Sequence, residues 1–156
     1  TMADHLRIDT ASLIIAAPAE TIYGAFIDAE ALLAWLPPEG MTGEILEFEP
    51  RPGGALRLAL HYGTPGHGKT TADTDVVESE FAELVPGQRV VQLVRFRSDD
   101  PAFAGTMRMV WDLEPAEGGT RVIFLAEDVP PGISKEDHDA GLRSSLENLK
   151  VYVMGH

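Results

Sequence analysis

The strongest constraint on the fold is the alternation of large apolar side chains with polar or small ones over residues 55–62, ALRLALHY. Leu56, Leu58, Leu60 and Tyr62 fall on one face of an extended chain, because successive side chains of a strand point to opposite sides. Similar runs bounded by proline and glycine turn signals predict further strands at about 43–49, 75–84, 88–97, 106–114 and 120–128. In the first of these runs, Leu46 and Phe48 are expected to share a face. Strands joined by such short turns predict an antiparallel sheet.

Helical patterns lie on both sides of this run of strands. Residues 6–17 predict a first strand that ends at Pro18, where a short helix begins. A second short helix is predicted over 30–36, and a long last helix over about 134–153, with Ser134 as its N-cap. Because no repeat, linker or low-complexity segment interrupts the pattern, we expect a single domain over 1–156, with its core at about 6–154.

The charge balance excludes several classes of partner. The 156 residues include 25 acidic and 12 basic side chains, a net charge of −13 at pH 7, which repels nucleic acid and anionic membrane surfaces. No apolar stretch approaches the roughly 18 residues of a membrane-spanning helix. We therefore expect a cytoplasmic protein with no nucleic-acid partner and no membrane insertion. The absence of cysteine excludes disulfides, thiolate zinc sites and cysteine nucleophiles.

Several short motifs occur in an order that is typical of one known family. They are APAETIY at 17–23, WLPP at 35–38, PGG at 52–54, VPGQRVV at 85–91, GGTRV at 118–122, and HDAGL at 138–142 followed by LENL at 146–149. In these motifs, over roughly residues 10–154, the chain resembles the START-like (SRPBCC) superfamily. More narrowly, it is similar to the branch related to the C-terminal domain of the activator of heat shock protein 90 ATPase.

This resemblance implies an α+β helix-grip fold. In that fold a curved antiparallel β-sheet wraps around a long C-terminal α-helix, two short helices follow the first strand, and an apolar cavity lies between the sheet and the long helix. Family members often carry an aromatic residue just after the glycine of the closing helix, where this chain has Leu142. We therefore expect a cavity of different shape.

The apolar strand face and the resemblance together predict a site for a hydrophobic or amphipathic small molecule. Apolar walls with a few polar groups are typical of such sites. The candidate ligand-binding residues come from the inward strand faces and the last helix: Leu58, Leu60, Tyr62, Val77, Phe81, Gln92, Phe96, Met107, Met109, Trp111, Leu142, Ser145 and Leu149. The alternative that these side chains fill a solid core stays open, because methionine packs well in either setting. No cofactor is expected.

Two other kinds of function remain as alternatives. Polyketide cyclases and aromatases resemble this fold, and an enzyme of that type would need Tyr62, Asp75, Gln92 and His138 to converge in the cavity. Convergence cannot be read from sequence, so no residue is assigned a catalytic role. A co-chaperone-like interaction module would instead use the charged outer face of the sheet, with a protein partner or a homodimer.

Residues 63–70, GTPGHGKT, fit the phosphate-loop pattern G-x-x-x-x-G-K-[ST]. That motif works between a strand and a helix in a parallel sheet, whereas residues 43–128 lack the required alternation of strands and helices. The favoured interpretation is a glycine-rich loop between two strands, which argues against nucleotide binding. His61 and His67 also lack the spacing of helical metal ligands, so no metal site is predicted.

Overall fold

The computed structural model describes residues 7–37, 41–62, 74–96, 105–130 and 132–155; the phosphate-loop pattern at 63–70 lies outside these ranges. In chain order the elements are β1 (Ile8–Ile15), α1 (Ala19–Gly24), α2 (Ala29–Trp35), β2 (Met41–Phe48), β3 (Ala55–Tyr62), β4 (Thr74–Val85), β5 (Arg89–Phe96), β6 (Met107–Ala116), β7 (Gly119–Glu127) and α3 (Lys135–Gly155). Their order is the predicted one, and the predicted bounds of the strands and of α2 and α3 agree within two residues.

The seven strands form one antiparallel sheet in the order β1-β7-β6-β5-β4-β3-β2. From β2 to β7 each strand pairs with its neighbour in sequence, whereas β1 joins the far edge, with Ile8 opposite Glu127 and Ile15 opposite Thr120. The sheet is curved, and the long helix α3 follows it at the end of the chain. The predicted helix-grip fold is therefore confirmed.

Two glycines close hairpins of this sheet. Gly87, between β4 and β5, has a φ of 70°, and Gly118, between β6 and β7, has a φ of 84°. Side chains disfavour this left-handed region, and glycine enters it freely. The turn signals at Pro86-Gly87 and Gly118-Gly119 therefore mark real strand ends.

An aromatic cluster fills the core between the sheet and the helices. Trp111 of β6 stacks on Phe124 of β7 with ring centroids 3.5 Å apart and meets the rings of Phe26 and Trp35 edge-on at 5.0 and 5.5 Å. The indole nitrogen of Trp35 donates a hydrogen bond to the carbonyl of Ala25 at 2.9 Å, which satisfies its buried polar group. These contacts fix α1 and α2 against the central strands.

One predicted face assignment is wrong, because β2 contains a bulge. Ile45 pairs with Leu58 and Phe48 pairs with Leu56, and the register shifts between Ile45 and Glu47. The extra residue moves Ile45 onto the face of Phe48, whereas Leu46 is 44% exposed. A bulge inserts one residue without a partner and reverses the alternation beyond it.

Helix α3 begins where the sequence predicts. The hydroxyl oxygen of Ser134 accepts a hydrogen bond from the backbone N–H of Asp137 at 3.1 Å, which is the bond expected of an N-cap. The helix packs mainly along β1, and its buried side chains are Leu142, Leu146, Leu149 and Val153. These side chains recur at helical spacing and form one apolar stripe.

Candidate functional site

A cavity of about 450 Å³ lies between the inner face of the sheet and the first half of α3. Strands β3 to β7 supply one wall, and the segment from Gly132 to Ser145 supplies the other. The inner face is apolar because every second side chain of these strands points to it. Leu36 and Met41 complete the described wall.

Nine of the thirteen candidate residues lie on this wall. They are Leu58, Leu60, Val77, Gln92, Met107, Met109, Trp111, Leu142 and Ser145. The wall also includes inward residues of the same strands that were not chosen as candidates: Leu56, Ser79, Val94 and Phe124. The side chains of Tyr62, Asp75 and Phe96 lie outside the described part of the chain.

Two side chains that were predicted to bind ligand belong to the solid core and are absent from the wall. Phe81 and Leu149 are both 0% exposed, and Phe81 packs edge-on against Phe48 at 6.2 Å. The cavity follows α3 only as far as Ser145, whereas Leu149 is buried in the core beyond that point. Strand alternation identifies the inward face but not the position along it at which the helix meets the sheet.

Polar groups on the wall are few. The hydroxyl of Ser79 donates to the carbonyl of Leu56 at 2.8 Å. The indole N–H of Trp111 donates to Oε1 of Gln92 at 3.4 Å. Since an indole is only a donor, the side-chain oxygen of Gln92 must face it, which directs the amide N–H₂ of Gln92 elsewhere. Gln92 is 6% exposed.

Beside the cavity, a buried carboxylate holds three side chains together. Asp9 of β1 is 0% exposed. It accepts hydrogen bonds from Arg7 Nη2 at 3.0 Å, from Lys135 Nζ at 3.1 Å and from His138 Nδ1 at 2.6 Å. Arg7 also donates to the carbonyl of Ile133. This cluster ties β1 to the beginning of α3.

These bonds keep Asp9 ionised. Burial alone would raise the pKa of Asp9, but hydrogen bonds from His138, Lys135 and Arg7, with the positive charge of Arg7, together lower it below its ordinary value. An ionised carboxylate can only accept hydrogen bonds, so the ring hydrogen of His138 is on Nδ1. His138 lies on the cavity wall.

His138 is a candidate from sequence alone, whereas Asp9 is not. A signal was present: Asp9, Ala11, Leu13 and Ile15 share one face of β1 by alternation, so the carboxylate is placed among inward-facing residues. A charged residue on a buried strand face requires partners. Two of the partners, Lys135 and His138, lie near the other end of the chain, and the pattern of β1 gives no indication of them.

A comparison with known families then identifies the chain. Residues 16–154 match the profile described as "Activator of Hsp90 ATPase homolog 1-like protein", AHSA1. The chain belongs to this family. Its membership and the fold confirm the predicted START-like superfamily. The AHSA1 match covers both short helices, strands β2 to β7 and nearly all of α3, and it begins just after β1. A search of curated proteins finds no match.

Solved structures share the AHSA1-like fold over nearly the whole chain. A protein from Chromobacterium violaceum is 31% identical, with a TM-score of 0.82 over 94% of this chain and 96% of its own. The AHSA1 protein from Silicibacter pomeroyi is 19% identical, with a TM-score of 0.78 over 96% of this chain and 100% of its own. A protein from Nitrosomonas europaea is also 19% identical, with a TM-score of 0.73 over 98% and 96%.

The described part of this AHSA1-like chain contains neither a metal-binding cluster nor a helix that could span a membrane. Residues 7–37, 41–62, 74–96, 105–130 and 132–155 contain no group of three or more His, Asp or Glu side chains that is arranged to hold a metal ion. None of the helices within these ranges is long and apolar enough to cross a bilayer. The polar side chains on the cavity wall are the hydroxyls of Ser79, Ser134 and Ser145, the amide of Gln92, the carboxylate of Asp137 and the imidazole of His138.

Proposed function

We propose that this protein binds a hydrophobic or amphipathic small molecule in the cavity between the sheet and α3. The observation that carries the proposal is the cavity itself, whose volume of about 450 Å³ falls in the range of small-molecule sites, roughly 300–1,000 Å³. Its wall combines large apolar side chains with a small number of polar groups, which is the usual composition of such sites.

The wall is suited to ligands of more than one shape. Met107 and Met109 enter it from β6, next to the rigid ring of Trp111. Methionine has three rotatable bonds and a polarisable sulfur, so it adapts to an irregular ligand surface. Trp111 is held by its stack on Phe124, so it offers a fixed apolar surface. We expect a preference for flat or elongated apolar molecules.

Filling the cavity tests the proposal. Val94 lies on the wall at the centre of the sheet, and Val94→Trp places an indole in the cavity. The control is Val151→Trp, the same substitution at a position of α3 that is 71% exposed. The probe is Nile red, a neutral dye whose emission rises in apolar surroundings, titrated into each protein after circular dichroism has shown the same fold.

We expect saturable binding of one dye molecule by the wild type and the control, and at least tenfold weaker binding by Val94→Trp. Equal binding by all three would place the dye elsewhere and contradict the proposal. A thermal-shift screen with fatty acids, aromatic polyketides and sterol-like compounds would then rank ligand classes. A ligand at 100 times its dissociation constant stabilises the native state by about 2.7 kcal/mol. A wild type that binds neither the dye nor any class in the screen would also contradict the proposal.

An enzyme of cyclase or aromatase type is the second candidate, and one observation favours it. His138 is on the cavity wall and is oriented through Nδ1 by a buried carboxylate, which is how a general base is commonly held. Gln92 is on the same wall. Conversion of a polyketide substrate, followed by mass spectrometry, should be lost in the Gln92→Ala, His138→Asn double variant. Turnover that survives the double substitution would remove these residues from any catalytic role.

A further inference from the structure

We propose that His138 is the polar anchor of the cavity and that it selects a neutral hydrophobic ligand with a hydroxyl group, such as a phenol or an alcohol. The ligand O–H donates its hydrogen bond to Nε2 of His138. The inference rests on the proposed function, because it names the class of molecule that the cavity takes. It is carried by the contacts around Asp9 and by the composition of the wall.

The contact with Asp9 fixes the direction in which the imidazole of His138 is held. Nδ1 of His138 lies 2.6 Å from Oδ2 of Asp9, and the Asp9 side chain is fully buried while that of His138 is 12% exposed. The carboxylate accepts this bond, so the hydrogen of a neutral ring is on Nδ1 and Nε2 has a free lone pair. A lone pair on the wall of an apolar cavity accepts a hydrogen bond from a ligand.

The basic side chains that pair with Asp9 determine the charge next to the imidazole of His138. Arg7 and Lys135 both pair with Asp9, at 3.0 and 3.1 Å, so its single negative charge is already balanced without a charged imidazole. Lys135 also pairs with Asp139 at 3.5 Å. A neutral imidazole whose hydrogen is on Nδ1 presents Nε2 as an acceptor of hydrogen bonds.

A ligand that enters the cavity would meet negative charge. Asp137, one residue before His138, also lies on the wall, and the whole chain carries a net charge of −13. A carboxylate ligand would be repelled by both. A hydroxyl group avoids this repulsion and still supplies the hydrogen that Nε2 can accept.

A second polar group on the wall fits the same ligand class. Because Oε1 of Gln92 faces the indole of Trp111, its amide N–H₂ points elsewhere, and Gln92 is 94% buried in a wall that is otherwise mostly apolar. An amide N–H₂ group that points into the cavity can donate a hydrogen bond to a ligand oxygen. Hydroxyl and carbonyl oxygens both accept such a bond, so oxygen-bearing ligands gain over hydrocarbons.

The Asp9 cluster also has a structural role, so the test must separate the two ring nitrogens. His138→Asn does this, because the amide nitrogen of asparagine takes the place of Nδ1 and still donates to Asp9, whereas nothing replaces Nε2. His61→Asn is the matched control: His61 is on β3 beside Glu44, 3.7 Å away, and is absent from the described cavity wall.

The probes are 2-naphthol and 2-methoxynaphthalene, which share one ring system and differ in the hydroxyl hydrogen. Isothermal titration calorimetry measures both with the three proteins. We expect wild type and His61→Asn to bind 2-naphthol about tenfold more tightly than the ether, as one hydrogen bond allows. In His138→Asn the ratio should fall below about threefold, with affinity for the ether unchanged.

The outcomes distinguish the two proposals. If the wild type binds both probes equally, or if His138→Asn keeps the tenfold ratio, the hydroxyl inference is overturned and the cavity proposal stands. If Nile red and both probes fail to bind the wild type, both proposals are overturned.

A second measurement needs no variant. Two-bond ¹⁵N–¹H correlation spectra of the wild-type imidazoles should show His138 with its hydrogen on Nδ1, and its Nε2 resonance should shift with 2-naphthol but not with the ether. A ring hydrogen on Nε2, or an Nε2 resonance unmoved at saturating 2-naphthol, would also overturn the hydroxyl inference.

Discussion

Replacing Asp9 with asparagine keeps the shape of a fully buried side chain and removes the charge that its neighbours surround. The side chains of Arg7 and His138 are 22% and 12% exposed, so their bonds to Asp9 are largely shielded from water. A hydrogen bond to a charged group contributes roughly 1.5–3 kcal/mol. The asparagine keeps part of this hydrogen bonding, and burying its neutral amide costs less free energy than burying a carboxylate. We expect Asp9→Asn to lower the free energy of unfolding by about 2–4 kcal/mol.

The effect has a defined dependence on pH. Because the folded state lowers the pKa of Asp9, the ionised carboxylate stabilises the fold fully above its ordinary pKa of about 4. That stabilisation is lost as the pH falls through the lower folded value. The difference in stability between wild type and Asp9→Asn should therefore be constant from pH 7 to pH 5 and shrink below pH 4.

Urea unfolding followed by circular dichroism measures this difference at each pH. Asp112→Asn is the matched control: Asp112 pairs with Arg89 at 2.6 Å, but the two side chains are 32% and 40% exposed. An exposed pair contributes about 1 kcal/mol or less. Equal midpoints for the two variants at pH 7, or a difference that grows as the pH falls below 4, would refute the reasoning.

Three further substitutions test the fold by thermal melting. Gly119→Ala would place a Cβ atom 2.0 Å from the backbone carbonyl oxygen of Ile15. We therefore expect the free energy of unfolding to fall by about 3 kcal/mol or more. A melting point near that of the wild type would contradict this contact. Gly141→Ala fills open space inside α3, and it should stabilise by about 0.5–1 kcal/mol; a lower melting point would show that the position needs glycine. Asp28→Ala removes the N-cap bonds of α2 and should cost about 1 kcal/mol, a value that an unchanged melting point would exclude.

Local pattern was sufficient to predict the strands and the last helix. The bounds of β3 follow from alternation between two glycine-containing stretches of sequence, and α3 begins at a serine that caps it. Both signals are contained within a few residues of the element that they define. The bulge at Leu46 was missed because one inserted residue leaves the composition of the run unchanged, and only pairing with β3 reveals it.

The site was predictable in part. Alternation assigned Met107, Met109 and Trp111 to the inner face, and all three lie on the cavity wall. Phe81 and Leu149 satisfy the same patterns and yet belong to the core, because the closeness of α3 to the sheet is a property of the tertiary structure. The contact between Asp9 and His138 spans 129 positions of sequence, a distance over which no local periodicity carries information.

The place of β1 at the far edge of the sheet also bears on how the protein is made. Its partner strand is β7, with Ile15 opposite Thr120, so β1 emerges from the ribosome long before the strand that it pairs with. At 5–20 residues per second, this delay is roughly 5–20 seconds. During that time β2 to β6 can pair in order through their hairpins, whereas β1 and the carboxylate of Asp9 must wait. We expect the nascent chain to hold its first strand unpaired until β7 has emerged, and to complete its fold only when α3 follows.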